Sequence, residues 1–160
     1  MSAERREAAS LSEYLSDPER FDLPLPCDAN LAAEQTCKIY EESGRQGATF
    51  HLYFGNLLDH PLFSVGLLPD LFPLPEPGRA VDLKDLRAFV RGNQDLLKQP
   101  QHGVGLWYDA EDDQVFMDIV VLVSEREEAI ALGAKYNQKS MFDLQAGEVI
   151  WLGGTGESIL

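Results

Sequence analysis

The sequence contains few of the residues that form the commonest metal sites. Its 160 residues include two cysteines and three histidines. No pair among them has the Cys-x-x-Cys or His-x-x-x-His spacing that such sites use. Cys27 and Cys37 are also too few for a disulfide framework. We therefore expect no metal and no cofactor, solvated loop histidines, reduced thiols and a cytoplasmic protein.

Signatures of nucleophilic catalysis are also missing from the sequence. There is no Gly-x-Ser-x-Gly elbow, and neither cysteine stands in a recognisable catalytic setting. No motif identifies a family whose activity could be transferred to this chain. We therefore favour a non-enzymatic protein.

Long apolar runs are absent as well. No run reaches the length that a membrane span needs. The polar stretch Met1–Ala9 lacks the apolar centre of a signal peptide. The sequence therefore predicts no association with a membrane.

Positive charge is scarce, because 27 acidic residues face 13 lysines and arginines, for a formal net charge of −14. This excess disfavours direct binding to nucleic acid or anionic lipid, and it favours a basic protein partner or self-association. Residues 103–160 alone hold 11 acidic and 3 basic residues, and Asp109–Asp113 is their densest patch.

The length and the apolar fraction of 44% predict a folded chain with a single core. We expect residues 1–27 to form a partly extended N-terminal arm, with a short helix or a loose segment over Met1–Ser16. Residues 28–160 are expected to form one α+β domain. The last third, residues 103–156, has the clearest pattern.

Two strands and a five-residue connector open that last third. Apolar residues alternate from Val104 to Tyr108, and Val115–Val123 is rich in β-branched residues. Asp109–Asp113 between them has the length of a hairpin connection. Both faces of the second strand are mostly apolar, which predicts a central strand covered by helices on at least one side.

A helix and a final hairpin follow in the sequence. Ser124 and Glu127 have the spacing of a capping box, and apolar residues recur at helical intervals as far as Tyr136. Two short strands around a turn, within residues 140–153, predict the hairpin.

The first half of the domain has a similar alternation of elements. A helix capped by Asp28 or Asn30 is predicted to run to about Ser43, and a second one, capped by Asp82, to run from Leu83 to about Lys98. Between them, Ala48–Phe54 and Leu62–Leu68 are predicted to pair as a hairpin. A shift of 54 positions aligns Phe50–Leu68 with Val104–Leu122. This alignment indicates a ββα repeat at 48–98 and 103–138.

Together these patterns predict an α+β fold. We expect a single, mainly antiparallel sheet of about six strands from three hairpins. Two or three helices would pack on one face of that sheet.

Candidate binding residues are those whose identity is not fully explained by capping, alternation or turns. A carboxylate at Asp118 or Asp143 interrupts an apolar strand, and on a covered face it could act as a general acid or base. We favour the simpler alternative, in which each carboxylate points to solvent at a sheet margin or accepts from a loop amide. The full candidate set is Trp107, Tyr108, Asp109, Glu111, Asp112, Asp113, Asp118, Asn137 and Gln138.

Three functional hypotheses follow from the sequence. The first is a small acidic interaction or regulatory protein that binds a basic protein partner. The second is a small enzyme or ligand-binding domain, with a pocket at the sheet end near Trp107, Tyr108, Asn137 and Gln138. A concave cleft with a carboxylate would favour the second hypothesis, and a flat surface would count against it. The third is a structural subunit of a homo-oligomer that buries Leu57–Leu58 and Leu71–Leu74.

Overall fold

The computed structural model describes residues 5–67, 76 and 78–155. The helices in this part of the chain are α1 (Leu11–Ser16), α2 (Ala29–Glu42), α3 (Leu83–Gly92), α4 (Gln94–Leu97) and α5 (Arg126–Lys135). The strands are β1 (Arg6–Glu7), β2 (Phe21–Asp22), β3 (Gly47–His51), β4 (Gly55–Asn56), β5 (Phe63–Gly66), β6 (His102–Asp109), β7 (Gln114–Val123), β8 (Ser140–Asp143) and β9 (Glu148–Trp151).

The main sheet has seven antiparallel strands in the order β4-β3-β6-β7-β5-β8-β9. Strands β6 and β7 form the predicted hairpin, with Val104 opposite Ile119 and Trp107 opposite Phe116. Strand β7 is the fourth of the seven, so its prediction as a central strand is confirmed. The predicted α+β class with one mainly antiparallel sheet is confirmed too. Strands β1 and β2 form a separate parallel pair.

One face of the sheet is covered by helices. Val115, Met117 and Ile119 of β7 are buried in a core with residues of α2, α3 and α4. Farther along the same face, Val123 packs with Ala129 of α5. These two clusters hold most of the buried core residues of the described chain. Burial of each such side chain stabilises the fold by about 1.5–3 kcal/mol relative to its exposure.

The opposite face is covered at one end. Leu11 of α1 is completely buried against Leu57, Leu62 and the β7 residues Val120 and Leu122. Leu15 of α1 packs against the same cluster, so α1 anchors the segment 5–22 to the sheet. Toward the β6–β7 connector the same face is concave, and that concave end is described below.

One predicted strand pairing is wrong. Ala48–Phe54 and Leu62–Leu68 do not form a hairpin, because β3 pairs with β4 and β6, whereas β5 pairs with β7 and β8. The β6–β7 hairpin lies between them. The two segments related by the 54-residue shift therefore differ in strand connectivity. Both segments are amphipathic, and amphipathic patterns fix the face of a strand but not its neighbour.

The predicted helix bounds need two corrections. The helix that begins at Leu83 ends at Gly92, where the Asn93 side chain donates to the carbonyl of Phe89, and α4 follows as a separate turn. The predicted capping box of α5 is also wrong. Its N-cap is Glu125, one residue beyond Ser124, and no side chain bonds the first amides of the helix.

The apolar segments proposed for self-association differ in exposure. Leu57 is completely buried and Leu58 is 49% exposed. Leu71–Leu74 lies outside the described residues. Self-association through these segments therefore stays a prediction. In the described part of the chain, no helix has the length and apolarity to cross a membrane.

Candidate functional site

A cleft of about 820 Å³ occupies the concave end of the sheet, and the C-terminal end of α2 contributes Ile39, Glu42 and Ser43 to its rim. Strands β3, β6, β7, β5, β8 and β9 all contribute residues to its walls. The side chains that define its chemistry are Trp107, Phe116, Asp118, Gln138, Phe142 and Trp151. Cavities of this volume hold small organic ligands.

The cleft exists because the sheet curls. Trp107 is on β6 and Trp151 is on β9, four strands away in the sheet order. A flat sheet would separate these two strands by about 19 Å. The two indole rings are nevertheless in contact, with centroids 6.2 Å apart. The edge strand β9 therefore folds back over the sheet and forms a wall opposite β6.

Aromatic rings form one corner of the cleft. Trp107 stacks on Phe116, its cross-strand partner, at 5.8 Å with an interplanar angle of 28°. Trp151 meets Trp107 at a steep angle of 68°. Trp151 is 69% exposed, which is a large solvated area for an indole that already packs on another ring. This corner provides apolar area and the electron-rich faces of two indoles.

Asp118 lies on the floor of the cleft, on the central strand β7. Directly opposite it on β6 is Gly105, which has no side chain to cover it. Its Oδ2 atom and the Oε1 atom of Gln138 both lie beside Gly66, at 3.4 Å and 2.7 Å from the point a Cβ atom would occupy. A larger residue at position 66 would displace the amide of Gln138 from this place.

The structure corrects one part of the reading that we favoured for Asp118, its position at a sheet margin. The residue does not point to solvent at a sheet margin, because its strand is central and its Oδ1 atom has almost no solvent exposure. For Asp143 the simpler reading is correct. Its Oδ1 atom accepts from the backbone amides of Gln145 and Ala146 in the β8–β9 turn, at 3.1 Å each.

One ammonium group stands at the mouth of the cleft. The Nζ atom of Lys139 lies 3.8 Å from Asp109 Oδ2 and 3.7 Å from Asp112 Oδ2. These contacts connect the start of β8 with the end of β6 and with the β6–β7 connector. Asp109 is buried, and its Oδ1 atom accepts from the amide of Glu111 at 3.0 Å. Both carboxylates already attract the lysine, which lowers its ability to hold an anionic ligand.

The predicted candidate residues divide into two groups. Those that line the cleft are Trp107, Tyr108, Asp109, Glu111, Asp118 and Gln138. Asp112, Asp113 and Asn137 do not line it. Asp113 accepts a 2.7 Å hydrogen bond from the hydroxyl of Tyr108. The side-chain amide of Asn137 is hydrogen-bonded to Thr155. Asn137 follows the C-cap of α5 and has the left-handed backbone conformation, with φ of 54°, that is common just after a helix.

The hydrogen bond to Asp113 raises the pKa of Tyr108, and the charges of Asp113 and Asp109 act in the same direction. Ionisation of the phenol would break that bond and place a negative charge beside the two carboxylates. Tyr108 is therefore a neutral hydrogen-bonding group at the cleft and not a base.

Sequence reasoning missed several lining residues, above all Trp151, Phe116, Phe142, Thr49 and Ser64. The signal for the aromatic ones was present, since Phe142 and Trp151 alternate with the buried Met141 and the half-buried Ile150. Alternation assigns them to the other face of the sheet, but it does not show that this face is concave.

The histidines and cysteines do not form a metal site in the described part of the chain. Among the described residues no group of three potential metal ligands lies together. His51 and His102 are buried, contrary to the prediction of solvated loop histidines. His102 donates through Nδ1 to the carbonyl of Leu96 at 2.9 Å. Burial raises the pKa of the free thiols of Cys27 and Cys37, which disfavours their reactive thiolate forms.

Comparison with protein-family models, with curated proteins and with solved structures found no significant match for this chain.

Proposed function

We propose that the protein binds a small organic ligand in the cleft between β6 and β9. The observation that carries the proposal is the contact between Trp107 and Trp151 across a curled sheet, at one corner of an open cleft of about 820 Å³ that Asp118 also lines. An apolar cavity with a few recessed polar groups is the usual form of a small-molecule site.

Binding is supported over catalysis by the residues of the cleft. No histidine or cysteine is among the described residues that line it. Ser64 and Ser140 line the cleft, and within the described part of the chain neither hydroxyl is hydrogen-bonded to a base. Nucleophilic catalysis needs such a partner to activate a serine hydroxyl. The polar groups at the cleft instead suit recognition, since the amide of Gln138 and the hydroxyl of Tyr108 can direct a ligand.

The chain offers a direct optical test of cleft occupancy. Its two tryptophans, Trp107 and Trp151, both line the cleft. We expect the neutral dye Nile red to bind at one saturable site, with a rise in dye emission and a matching fall in tryptophan emission. The substitution Thr49→Phe adds bulk to the β3 wall of the cleft and should weaken dye binding by about tenfold or more.

The control is Ala131→Phe, which adds an aromatic ring on the exposed side of α5, outside the cleft. This variant should bind the dye as the unchanged protein does. Equal affinity of Thr49→Phe and the unchanged protein would contradict the proposal, as would the absence of saturable binding. Far-ultraviolet circular dichroism of both variants checks that the fold is retained.

A second proposal, the binding of a basic protein partner, is favoured by the position of the acidic connector. Glu42, Asp109 and Glu111 line the cleft, and the exposed Asp112 and Asp113 adjoin it. Attraction between exposed charges weakens as salt rises, because the Debye length falls from about 10 Å at 0.1 M to about 3 Å at 1 M. Affinity-capture of host proteins at low and high salt tests this, and a partner retained equally at both would contradict it.

A further inference from the structure

The charges that surround the cleft are predominantly negative. Its described lining includes four carboxylates, those of Glu42, Asp109, Glu111 and Asp118, and a single cationic side chain, that of Lys139. Lys139 already lies within 4 Å of two carboxylates. A phosphate or carboxylate ligand would therefore meet net repulsion, whereas a cation would meet net attraction.

Asp118 is the carboxylate on the most central strand, and its Oδ1 atom has almost no solvent exposure. Asp118 lies on the floor of the cleft, with Gly105 opposite and Gly66 beside it. Attraction between charges is stronger in a recess than at the open surface, because less water screens it there. The electrostatic attraction between Asp118 and a cationic group on the floor of the cleft is therefore stronger than the attraction between the Asp109–Asp113 connector and a cation at the rim.

The aromatic corner favours the same sign of charge. The faces of Trp107 and Trp151 carry the negative part of the ring quadrupole, and tryptophan is the best of the aromatic side chains at binding cations. The apolar remainder of the wall, which includes Phe142 and Val120, matches a hydrocarbon body and not a hydrated metal ion. The site is thus complementary to an apolar molecule that carries a positive charge.

We infer that the ligand is a small organic cation, an amine with an aromatic or branched aliphatic body, whose ammonium group lies near Asp118. This inference rests on the proposed function. It adds the sign of the ligand's charge and names the carboxylate that selects it.

Three probes of matched shape test the inference. Phenethylammonium, 2-phenylethanol and 3-phenylpropanoate share a phenyl ring and differ in charge. Their affinities are measured by displacement of Nile red and by tryptophan emission excited at a wavelength that phenyl does not absorb. We expect phenethylammonium to bind about tenfold more tightly than the neutral alcohol, and the anion to bind most weakly.

The deciding variant is Asp118→Asn, which keeps the shape of the side chain and removes its charge. It should reduce the ratio of the phenethylammonium affinity to the 2-phenylethanol affinity about tenfold, so that this variant binds the two probes alike. The matched control is Glu128→Gln, which removes one charge from exposed α5 and should change neither affinity.

The outcomes separate the two proposals. If Nile red binds but the three probes bind alike, or if Asp118→Asn binds phenethylammonium as tightly as the unchanged protein, the inference is wrong and the proposed function stands. If Nile red does not bind, the proposed function fails and the inference fails with it. If the peptide acetyl-Lys-Phe-Lys-amide binds more tightly than phenethylammonium, a basic segment of a partner protein replaces the small amine as the ligand.

Discussion

His51 is a buried residue whose hydrogen bonds are complete only in the neutral state. Its Nε2 atom lies 2.7 Å from the carbonyl oxygen of Pro100 and donates to it. Its Nδ1 atom accepts from the backbone amides of Tyr53 and Phe54, at 3.1 Å and 3.2 Å. A second proton on Nδ1 would face two donors. Burial lowers the pKa of His51 from 6.5 to about 4, although the bond to Pro100 acts in the opposite direction.

The lowered pKa predicts a pH dependence of stability. Because the unfolded chain takes up the proton at higher pH than the folded one does, the free energy of unfolding falls as the pH drops from 6.5 towards 4. Between pH 7 and about pH 5, His51 should contribute a loss of about 2 kcal/mol. Urea unfolding of the unchanged protein at these two pH values measures the total loss.

The control for this loss is His51→Gln, which can still donate to Pro100 but does not titrate. Its free energy of unfolding should fall by about 2 kcal/mol less over the same pH interval. An equal fall in both proteins would assign the pH dependence to other groups.

Gly105 is a second residue whose identity is set by its surroundings. A Cβ atom at this position would lie 2.6 Å from Cγ1 of Val120, which is buried. Gly105→Ala should therefore lower the free energy of unfolding by about 1–3 kcal/mol, the usual cost of overpacking. Chemical denaturation measures it.

A double-mutant cycle identifies the cause of that loss. In the background of Val120→Ala the clashing methyl is absent, so Gly105→Ala should cost much less there. Equal costs in the two backgrounds would show that the contact with Val120 is not responsible.

Among the elements, the helix N-termini differ in how they are capped. The side chain of Asp28 accepts from the amide of Leu31 at the start of α2. Asp82 and Asp85 form a complete capping box at the start of α3. At the start of α5 neither Ser124 nor Glu125 provides a cap bond. The spacing of a serine and a glutamate predicted a box that the backbone does not form.

This difference gives a paired prediction. Asp82→Ala removes a bonded cap and should lower the free energy of unfolding by about 1 kcal/mol. Ser124→Ala removes an exposed hydroxyl without a capping role and should change it by less than about 0.5 kcal/mol. Thermal or urea unfolding distinguishes them, and equal losses would restore the predicted capping box.

Local patterns predicted the elements better than their pairing. The β6–β7 hairpin and α2 follow from alternation, a connector and a cap within a short stretch of chain, and both are present as predicted. The neighbours of β3 and β5 depend on the packing of α2 and α5 against distant strands. No local pattern contains that information, which is why the pairing of β3 with β5 was predicted wrongly.

At the scale of the whole molecule, the formal charge of −14 opposes the close approach of two copies. In the described part of the chain no strand covers the outer edge of β9, where Val149 and Trp151 are exposed. Uncovered strand edges are templates for pairing between chains. We therefore expect solubility to pass through a sharp minimum near the isoelectric point of 4.4, where the repulsion vanishes.

Light scattering as a function of pH measures this minimum. Val149→Lys places a charge on the exposed edge and should reduce the aggregation at the minimum. Unchanged aggregation in this variant would exclude β9 as the contact. The matched control is Leu58→Lys, which adds the same charge at another exposed apolar position.

Only part of the candidate site could be predicted from the sequence, because only some of its residues stand out in their local sequence. Turns, caps and alternation did not fully explain Asp118 and Gln138, and Trp107 was proposed as an aromatic neighbour of Gln138. All three residues line the cleft. The opposite wall, with Trp151, was missed because it depends on the curl of the whole sheet. Curl is a sum of small twists over many strands, and no single stretch of sequence records it.

The order of the strands in the sheet affects the order in which they pair during folding. The β6–β7 hairpin has neighbours close along the chain and can form within microseconds. Strands β3 and β5, in contrast, are distant in sequence and pair with the two edges of the hairpin, where Phe50 lies opposite Val104 and Phe63 lies opposite Val123. Such closures of long loops slow folding to the order of milliseconds or longer. During this interval the hairpin exposes both of its edges, so the folding chain is most prone to misassociation before β3 and β5 pair with the hairpin.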